Sequence, residues 1–240
     1  WGVTNYAVLE QTERAPGYLI FLAAIANIFG AHFLPVLLIQ CLIDAITCLI
    51  IMALGRTIFS KNYWIFGFLA AVWPNLVLHS GLILTDCLFL FFFSWFLLSF
   101  TKLLKKQTIR FAILTGVLLG LATLIRPVTQ FIILFTPVFL PVILILSKVK
   151  MRAAFFHTLA IFFVASTLIF PLVIKNYLKY DSLALTSQNG THLQNWVASE
   201  VIMLRDNIGR TEAVNRLSKQ TNEVLVGLSL QNQKNPFVIS

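Results

Sequence analysis

Apolar side chains run through this chain in long stretches, separated by short polar intervals. Six stretches, at about 33–55, 63–82, 84–101, 111–126, 128–147 and 153–174, approach the roughly 20 apolar residues that a helix needs to cross a hydrocarbon layer. A seventh run, Tyr18 to Phe29, follows Pro16-Gly17 and has about 12 residues, too few to span. It predicts an interfacial or partly embedded helix with proline near its start. After Ile174 polar and charged residues recur throughout. The pattern predicts an all-α polytopic membrane protein in three parts. Residues 1–32 form part of a first extracytoplasmic loop with the interfacial helix, 33–174 a six-span transmembrane bundle, and 175–240 an extracytoplasmic soluble segment that is incomplete. In that segment Val201, Leu204, Ile208, Val214 and Leu217 recur at helical spacing over 198–226. They predict an amphipathic helix, either a plain surface helix or one lying over the mouth of a membrane site.

Composition agrees with the pattern. Of the 240 residues 58% are hydrophobic and 11% charged, and mean hydropathy is +0.86. Soluble domains carry about 25% charged residues, so a soluble globular enzyme and a disordered tail are both excluded. The net charge of +9 would suggest nucleic acid in a soluble protein. Here the bases have a different distribution. Nine lie in alternate loops: Arg56 and Lys61; Lys102, Lys105, Lys106 and Arg110; Lys148, Lys150 and Arg152. The intervening loops, around 79–86 and 126–129, hold Arg126 alone. By the positive-inside rule the basic loops face the cytoplasm, and the segment before Tyr18, the Asp86 loop, the Arg126 turn and the tail face the other side. Cys41, Cys48 and Cys87 lie in apolar runs without C-x-x-C spacing and read as small hydrophobes. The chain opens on Trp1-Gly2-Val3 without an initiator Met or signal peptide and ends on Asn235-Pro236-Phe237-Val238-Ile239-Ser240, so it reads as an internal piece of a longer protein.

Polar residues left near the outer face are costly unless paired or functional. Three clusters qualify. Glu13-Arg14 before Pro16-Gly17-Tyr18 offers an acid and a phosphate-binding base, or an ordinary charged helix start. Asn75, His79 and Thr85-Asp86 surround a return between two apolar runs. There Thr85 or Asp86 caps a helix, Asp86 presents a carboxylate to a cavity, or both, and the lone His79 carries little weight as a metal ligand. Gly116 and Gly120 allow close helix packing, and they precede Arg126-Pro127, where Arg126 is either an exposed anchor or a phosphate clamp. Asp44, one turn after Gln40 inside the first span, predicts an interhelical hydrogen bond.

In order, these segments are familiar. Glu13-Arg14-Ala15-Pro16-Gly17-Tyr18-Leu19 resembles the R-P-P-G-Y-P segment in the first outer loop of GT-C glycosyltransferases. Trp73-Pro74 with Ser80-Gly81-Leu82-Ile83-Leu84-Thr85-Asp86 resembles their proline and acidic stretch. Gly116 through Arg126-Pro127 is similar to their glycine-rich L-x-R-P helix end. Pro171-Leu172-Val173-Ile174-Lys175-Asn176-Tyr177, with Ser187-Gln188-Asn189-Gly190-Thr191, resembles their P-W-x-x-R-N-Y and the loop after it. Four segments in the same order across residues 13–196 are similar to the bacterial branch related to protein mannosyltransferases and aminoarabinose transferases. The departures are Ala15 and Leu19 for prolines, Leu172 for Trp and Lys175 for Arg.

The resemblance implies a GT-C transmembrane bundle in a bacterial inner or plasma membrane. It implies an inverting glycosyltransferase that takes a sugar from a polyprenyl phosphate and passes it to a lipid, glycan or protein acceptor on the extracytoplasmic face. It makes Glu13 and Asp86 the catalytic acids, and Arg14, Arg126 and Lys175 the clamps on the donor phosphate. Tyr18, His79, Asn176 and Asn189 become acceptor or loop residues. The family's first-loop Asp, its catalytic base, would fall at or before residue 1. No cofactor is certain, and a divalent cation is left open because some GT-C enzymes use one and others do not. The Asn189-Gly190-Thr191 sequon reads as part of the family loop. Two other readings stay open: a transporter or flippase for lipid-linked glycans, and an inactive paralogue.

Overall fold

A computed structural model describes residues 14–59, 61–187 and 193–227. Among the described residues there are helices and no strand. The helices are α1 (Pro16–Phe29), α2 (Phe33–Ile58), α3 (Trp64–Val72), α4 (Pro74–Ser80), α5 (Thr85–Lys106), α6 (Ile109–Ile125), α7 (Gln130–Leu146), α8 (Met151–Tyr180), α9 (Ser199–Asp206) and α10 (Arg210–Gly227). A 3-10 turn, Pro127–Thr129, leads into α7, and a π-helical turn, Leu193–Ala198, leads into α9. Ala15–Pro171 form one compact unit, and the described residues from Leu172 onward form a second, to which Arg14 also belongs.

Among the described residues four helices are long and apolar enough to cross a membrane: α2, α5, α7 with its 3-10 turn, and α8. At 1.5 Å per residue the 26 residues of α2 reach about 39 Å, more than a hydrocarbon core of about 30 Å. The chain is thus an all-α polytopic membrane protein. The other two predicted spans are shorter. Residues 109–125 form one apolar helix of 17 residues. The 63–82 stretch is two helices of nine and seven residues, separated at Trp73. Pro74 causes the break: its ring drives the preceding residue out of the helical region, and Trp73 sits at φ −69°, ψ 117°. The short run after Pro16 is a helix of 14 residues with proline in its first turn, where a missing N–H is of no consequence.

α6 is the centre of the first unit. Ala112, Thr115, Leu118, Leu119, Ala122 and Ile125 are all buried, and Ala112, Leu118 and Leu119 join a core with Phe96 and Leu103 of α5, Leu140 and Leu144 of α7, and Ile161 and Ala165 of α8. The glycines allow that approach. A Cβ on Gly116 would lie 2.9 Å from the Ile161 carbonyl oxygen, and one on Gly120 would lie 2.7 Å from Leu168 Cδ1, so the small-xxx-small spacing serves helix packing. Large apolar side chains cover the outside, including Phe131, Leu134, Phe135 and Val138 of α7. That is the expected surface for a protein solvated by lipid, since an aqueous monomer rarely carries so large an apolar patch.

The first unit has two chemically distinct ends. α2 and α5 run parallel: Gln40 meets the start of α5, and Lys105 near the end of α5 donates to the carbonyl of Thr57 at the end of α2. The Lys105 end also holds Arg56 over the Tyr63 ring and Lys106 over the Phe111 ring, at 5.5 and 5.6 Å. Mid-span, Asp44 is half-buried and makes no hydrogen bond among the described residues, so the interhelical bond expected of it is not formed there.

Candidate active site

The break at Trp73 turns α4 aside and leaves a cavity of about 450 Å³ at the Asp86 end of the first unit. Leu69 and Ala70 of α3, Trp73, Leu76, Phe89 and Leu90 give it apolar walls, and its polar groups are Asn75, His79, Asp86 and Arg126. Three of the residues predicted from sequence therefore face one space.

Arg126 is placed by the end of α6. Pro127 obliges it to leave the helix, at φ −133°, ψ 115°. Its N–H still bonds Ala122 O at 2.9 Å, and its carbonyl accepts from Thr129 Oγ1 at 3.2 Å. The Thr129 hydroxyl is in turn 2.8 Å from that of Thr123. On this locked turn Arg126 Nη1 reaches Asp86 Oδ1 at 2.9 Å, and the guanidinium carbon lies 5.7 Å from the Phe89 ring centroid. The Asp86 side chain is 19% exposed and that of Arg126 44%. The carboxylate is thus held back in the wall while the cation remains open to a ligand.

Asp86 stands in the first turn of α5, where the helix dipole favours an anion. The expected cap by Thr85 or Asp86 is not made: the N-cap is Leu84, without a side-chain cap bond. The turn before α5 is fastened from α2 instead. Gln40 is fully buried, and its Nε2 donates to the carbonyls of Leu82 and Leu84, both at 3.3 Å. Cys87 Sγ donates back to Gln40 O at 3.2 Å. An amide alone in an apolar span was the signal for this role, but the sequence does not show which loop it holds. Phe89 beneath Arg126 was likewise one phenylalanine among many.

Tyr18 is buried behind the cavity against Leu88 and Ile125 and stacks on Phe21 with centroids 5.9 Å apart. Gly17 makes that seat available, since a Cβ there would lie 2.6 Å from Leu124 O. The segments around Tyr18, Asp86 and Arg126 therefore converge, although they are distant in sequence.

Glu13 and Asn189 are outside the described residues. Arg14 is exposed and belongs to the second unit, as do Lys175 and Asn176. In that unit Asn176 is fully buried and donates Nδ2 to Ala184 O at 2.8 Å and to Leu185 O at 3.1 Å. The predicted 198–226 helix is two helices. α9 stops where Asn207 takes the left-handed conformation at φ 52°, and α10 begins after Gly209. One ion pair joins them, Arg216 to Asp206 at 3.2 Å, and it is flanked by Arg205 to Asp206 at 2.7 Å within α9 and Arg216 to Glu212 at 2.9 Å within α10. The hydrogen bond from Arg205, with the charges of both arginines, holds Asp206 below the usual carboxylate range. Among the described residues no three His, Cys, Asp or Glu side chains gather as a metal site.

Comparison with known proteins gives one family. Searches of curated proteins and of solved structures return no match. Residues 13–174 match the sequence model of the dolichyl-phosphate-mannose-protein mannosyltransferases. That span holds α1 to α7, most of α8, and both partners of the Asp86–Arg126 pair. A GT-C membrane glycosyltransferase acting with a lipid-linked sugar accounts for the match, and a transporter does not. The chain belongs to the dolichyl-phosphate-mannose-protein mannosyltransferase family.

Proposed function

We propose that this protein is an inverting glycosyltransferase of a bacterial plasma membrane. It takes a sugar from a polyprenyl-phosphate donor and passes it to a hydroxyl of a lipid, glycan or protein on the extracytoplasmic face. The observation that carries the reading is the Asp86–Arg126 pair at 2.9 Å in a cavity with largely apolar walls, to which Asn75 and His79 add the other polar groups. The distribution of bases supports the face: nine in alternate loops against Arg126 alone in the others.

In this reading the donor phosphate lies against Arg126. As the acceptor oxygen bonds to the anomeric carbon, the bond from that carbon to the phosphate oxygen breaks. The electron pair leaves on the polyprenyl phosphate, and the guanidinium neutralises the growing charge with donors already aimed at it. A planar fork suits a phosphate better than an ammonium would. Asp86 acts through Arg126. Its carboxylate is engaged by the guanidinium, so it orients the clamp. The proton from the acceptor goes to another carboxylate, for which Glu13 and the family's first-loop Asp are the candidates. His79 and Asn75 line the same cavity and are placed to meet the sugar or acceptor. Arg14 and Lys175 are further candidate contacts to the phosphate, while Tyr18 supports the wall. Asn176, near the end of α8, fastens the segment that follows through the carbonyls of Ala184 and Leu185, and Asn189 is kept as an acceptor or loop residue in this reading. The bundle proposed here retains six spans, with the α3–α4 pair and α6 counted alongside the four long helices.

The test is sugar transfer by the full chain in membranes supplied with a labelled polyprenyl-phosphate sugar. Arg126→Ala is expected to lose about 10²–10³-fold in turnover, as for removal of one preorganised charge-stabilising donor. Asp86→Asn is expected to lose less. Near-normal turnover in both variants would contradict the assignment.

A further inference from the structure

The second unit carries an apolar stripe that its own fold turns outward. Along the π-helical turn and α9, Leu193, Val197, Val201 and Leu204 follow at intervals of four, four and three residues, the spacing of one helix face. They are 62, 56, 60 and 84% exposed, while Ser199 and Ile202 are buried. Trp196 flanks the stripe, 56% exposed, with the Arg210 guanidinium carbon 3.9 Å from its ring centroid.

What covers the stripe follows from α8. This helix is one of the four able to cross a membrane, and its last residues, from Leu172 to Tyr180, open the second unit. The unit therefore begins inside a span. The chain after Tyr180 does not climb away from it, because the Asn176 amide holds the carbonyls of Ala184 and Leu185. Those residues are level with Asn176, four residues short of the helix end, or about 6 Å back along the axis. Leu185, Thr186 and Ser187 are buried there. Leu193 follows Ser187 by six residues, a reach of at most about 20 Å. Tyr177 and Tyr180 mark the same level with the amphipathic rings that favour a membrane–water boundary. Charge supplies no separate attraction: residues 193–227 hold four bases and four acids.

We propose that Leu193, Trp196, Val197, Val201 and Leu204 insert into the interfacial layer of the bilayer that α8 crosses. The π-helical turn and α9 then lie on the membrane as a monotopic helix, with Glu200 at the rim of the stripe reaching the headgroups. Insertion is driven by apolar area and not by anionic lipid. It stands apart from the sugar-transfer reading, because lipid contact is measured without turnover.

The experiment uses tryptophan fluorescence of the full chain in phosphatidylcholine vesicles. The parent is compared with Trp196→Phe, Leu204→Trp and Lys219→Trp, all at exposed positions whose change spares the fold. The difference signals of Trp196 and of Leu204→Trp are expected to be lost when the lipid is brominated near the headgroup and retained in aqueous iodide. The Lys219→Trp signal is expected to behave in the opposite way. Exchange of part of the lipid for phosphatidylglycerol leaves these results unchanged. Iodide quenching at 196 and 204 equal to that at 219 would overturn the proposal in favour of a water-exposed stripe. Protection from both quenchers would overturn it in favour of a protein cover, and quenching that requires phosphatidylglycerol would overturn the apolar mode.

Discussion

The two ends of the first unit treat positive charge in different ways. At one end Lys105 donates to the Thr57 carbonyl, and Arg56 and Lys106 rest over aromatic rings. No carboxylate pairs with a base there among the described residues. At the other end a single base, Arg126, meets a single acid, Asp86, at 2.9 Å in a cavity. Bases that only orient a chain need solvation, and carbonyls, rings and water provide it. A base that must present its fork in one direction needs a partner and a rigid mount. The Pro127 turn, the Thr123–Thr129 contact and the Phe89 ring supply the mount. On the proposed reading, the number of bases reports topology and the pairing of a base reports chemistry.

Substitutions at the two ends can break this comparison. The largest effect is expected at Arg126, where Ala costs about 10²–10³-fold in transfer. Arg126→Lys should fall between Ala and the parent, because one ammonium cannot bridge carboxylate and phosphate in the fork geometry. Adding Asp86→Asn to Arg126→Ala should cost little more, since the carboxylate acts through a guanidinium that is already gone. Additive losses would give Asp86 a role of its own. Next comes Gln40→Leu, which removes the donor to two buried carbonyls and is expected to cost about 1–3 kcal/mol of stability. Gln40→Glu, which keeps the shape without the donor, should be no better, as thermal unfolding in detergent would show. Lys105→Met, at the opposite end, is expected to change transfer by less than about threefold, in keeping with an exposed pairing worth under 1 kcal/mol. A large loss there would mean that the basic end does more than orient.

The smallest effect concerns the second unit and depends on pH. Asp206 has a folded pKa held below its ordinary value, first by the hydrogen bond from Arg205 and then by the two arginine charges. A lowered folded value means stabilisation that is complete above the usual Asp range, near about 4, and lost as pH falls through the folded value. Protection of α9 and α10 from hydrogen exchange, corrected for intrinsic rates, should be flat at neutral pH and decline only in acid. Asp206→Asn should flatten that decline.

Much of the fold was legible because lipid imposes long apolar runs, which need no tertiary information to read. The helix breaks at Trp73 and Asn207 are hidden from the sequence pattern for one cause. Hydropathy averages across Pro74, so 63–82 reads as one continuous helix although the backbone at Trp73 cannot stay helical. The periodic residues over 198–226 likewise continue across Asn207 and Gly209, and the left-handed Asn207 ends the helix all the same. At the site, Asp86 and Arg126 stood out singly as charges beside apolar helices. Their pairing depends on the α5–α6 hairpin, which sets residues 40 apart in sequence side by side. In the sequence Gln40 stands out only as a neighbour of Asp44. Its function depends on what faces it across the helix interface, and no residue type encodes that.

The central claim is that Arg126 receives the phosphate of the lipid donor, and binding measures it without the chemistry. The affinity of the purified full chain for polyprenyl phosphate alone, in nanodiscs, should fall by one to two orders of magnitude in Arg126→Gln, about 1.4 kcal/mol for each tenfold. Lys105→Met should bind as the parent does. Equal affinity in parent and Arg126→Gln would contradict the account and leave Arg126 as the partner of Asp86 alone.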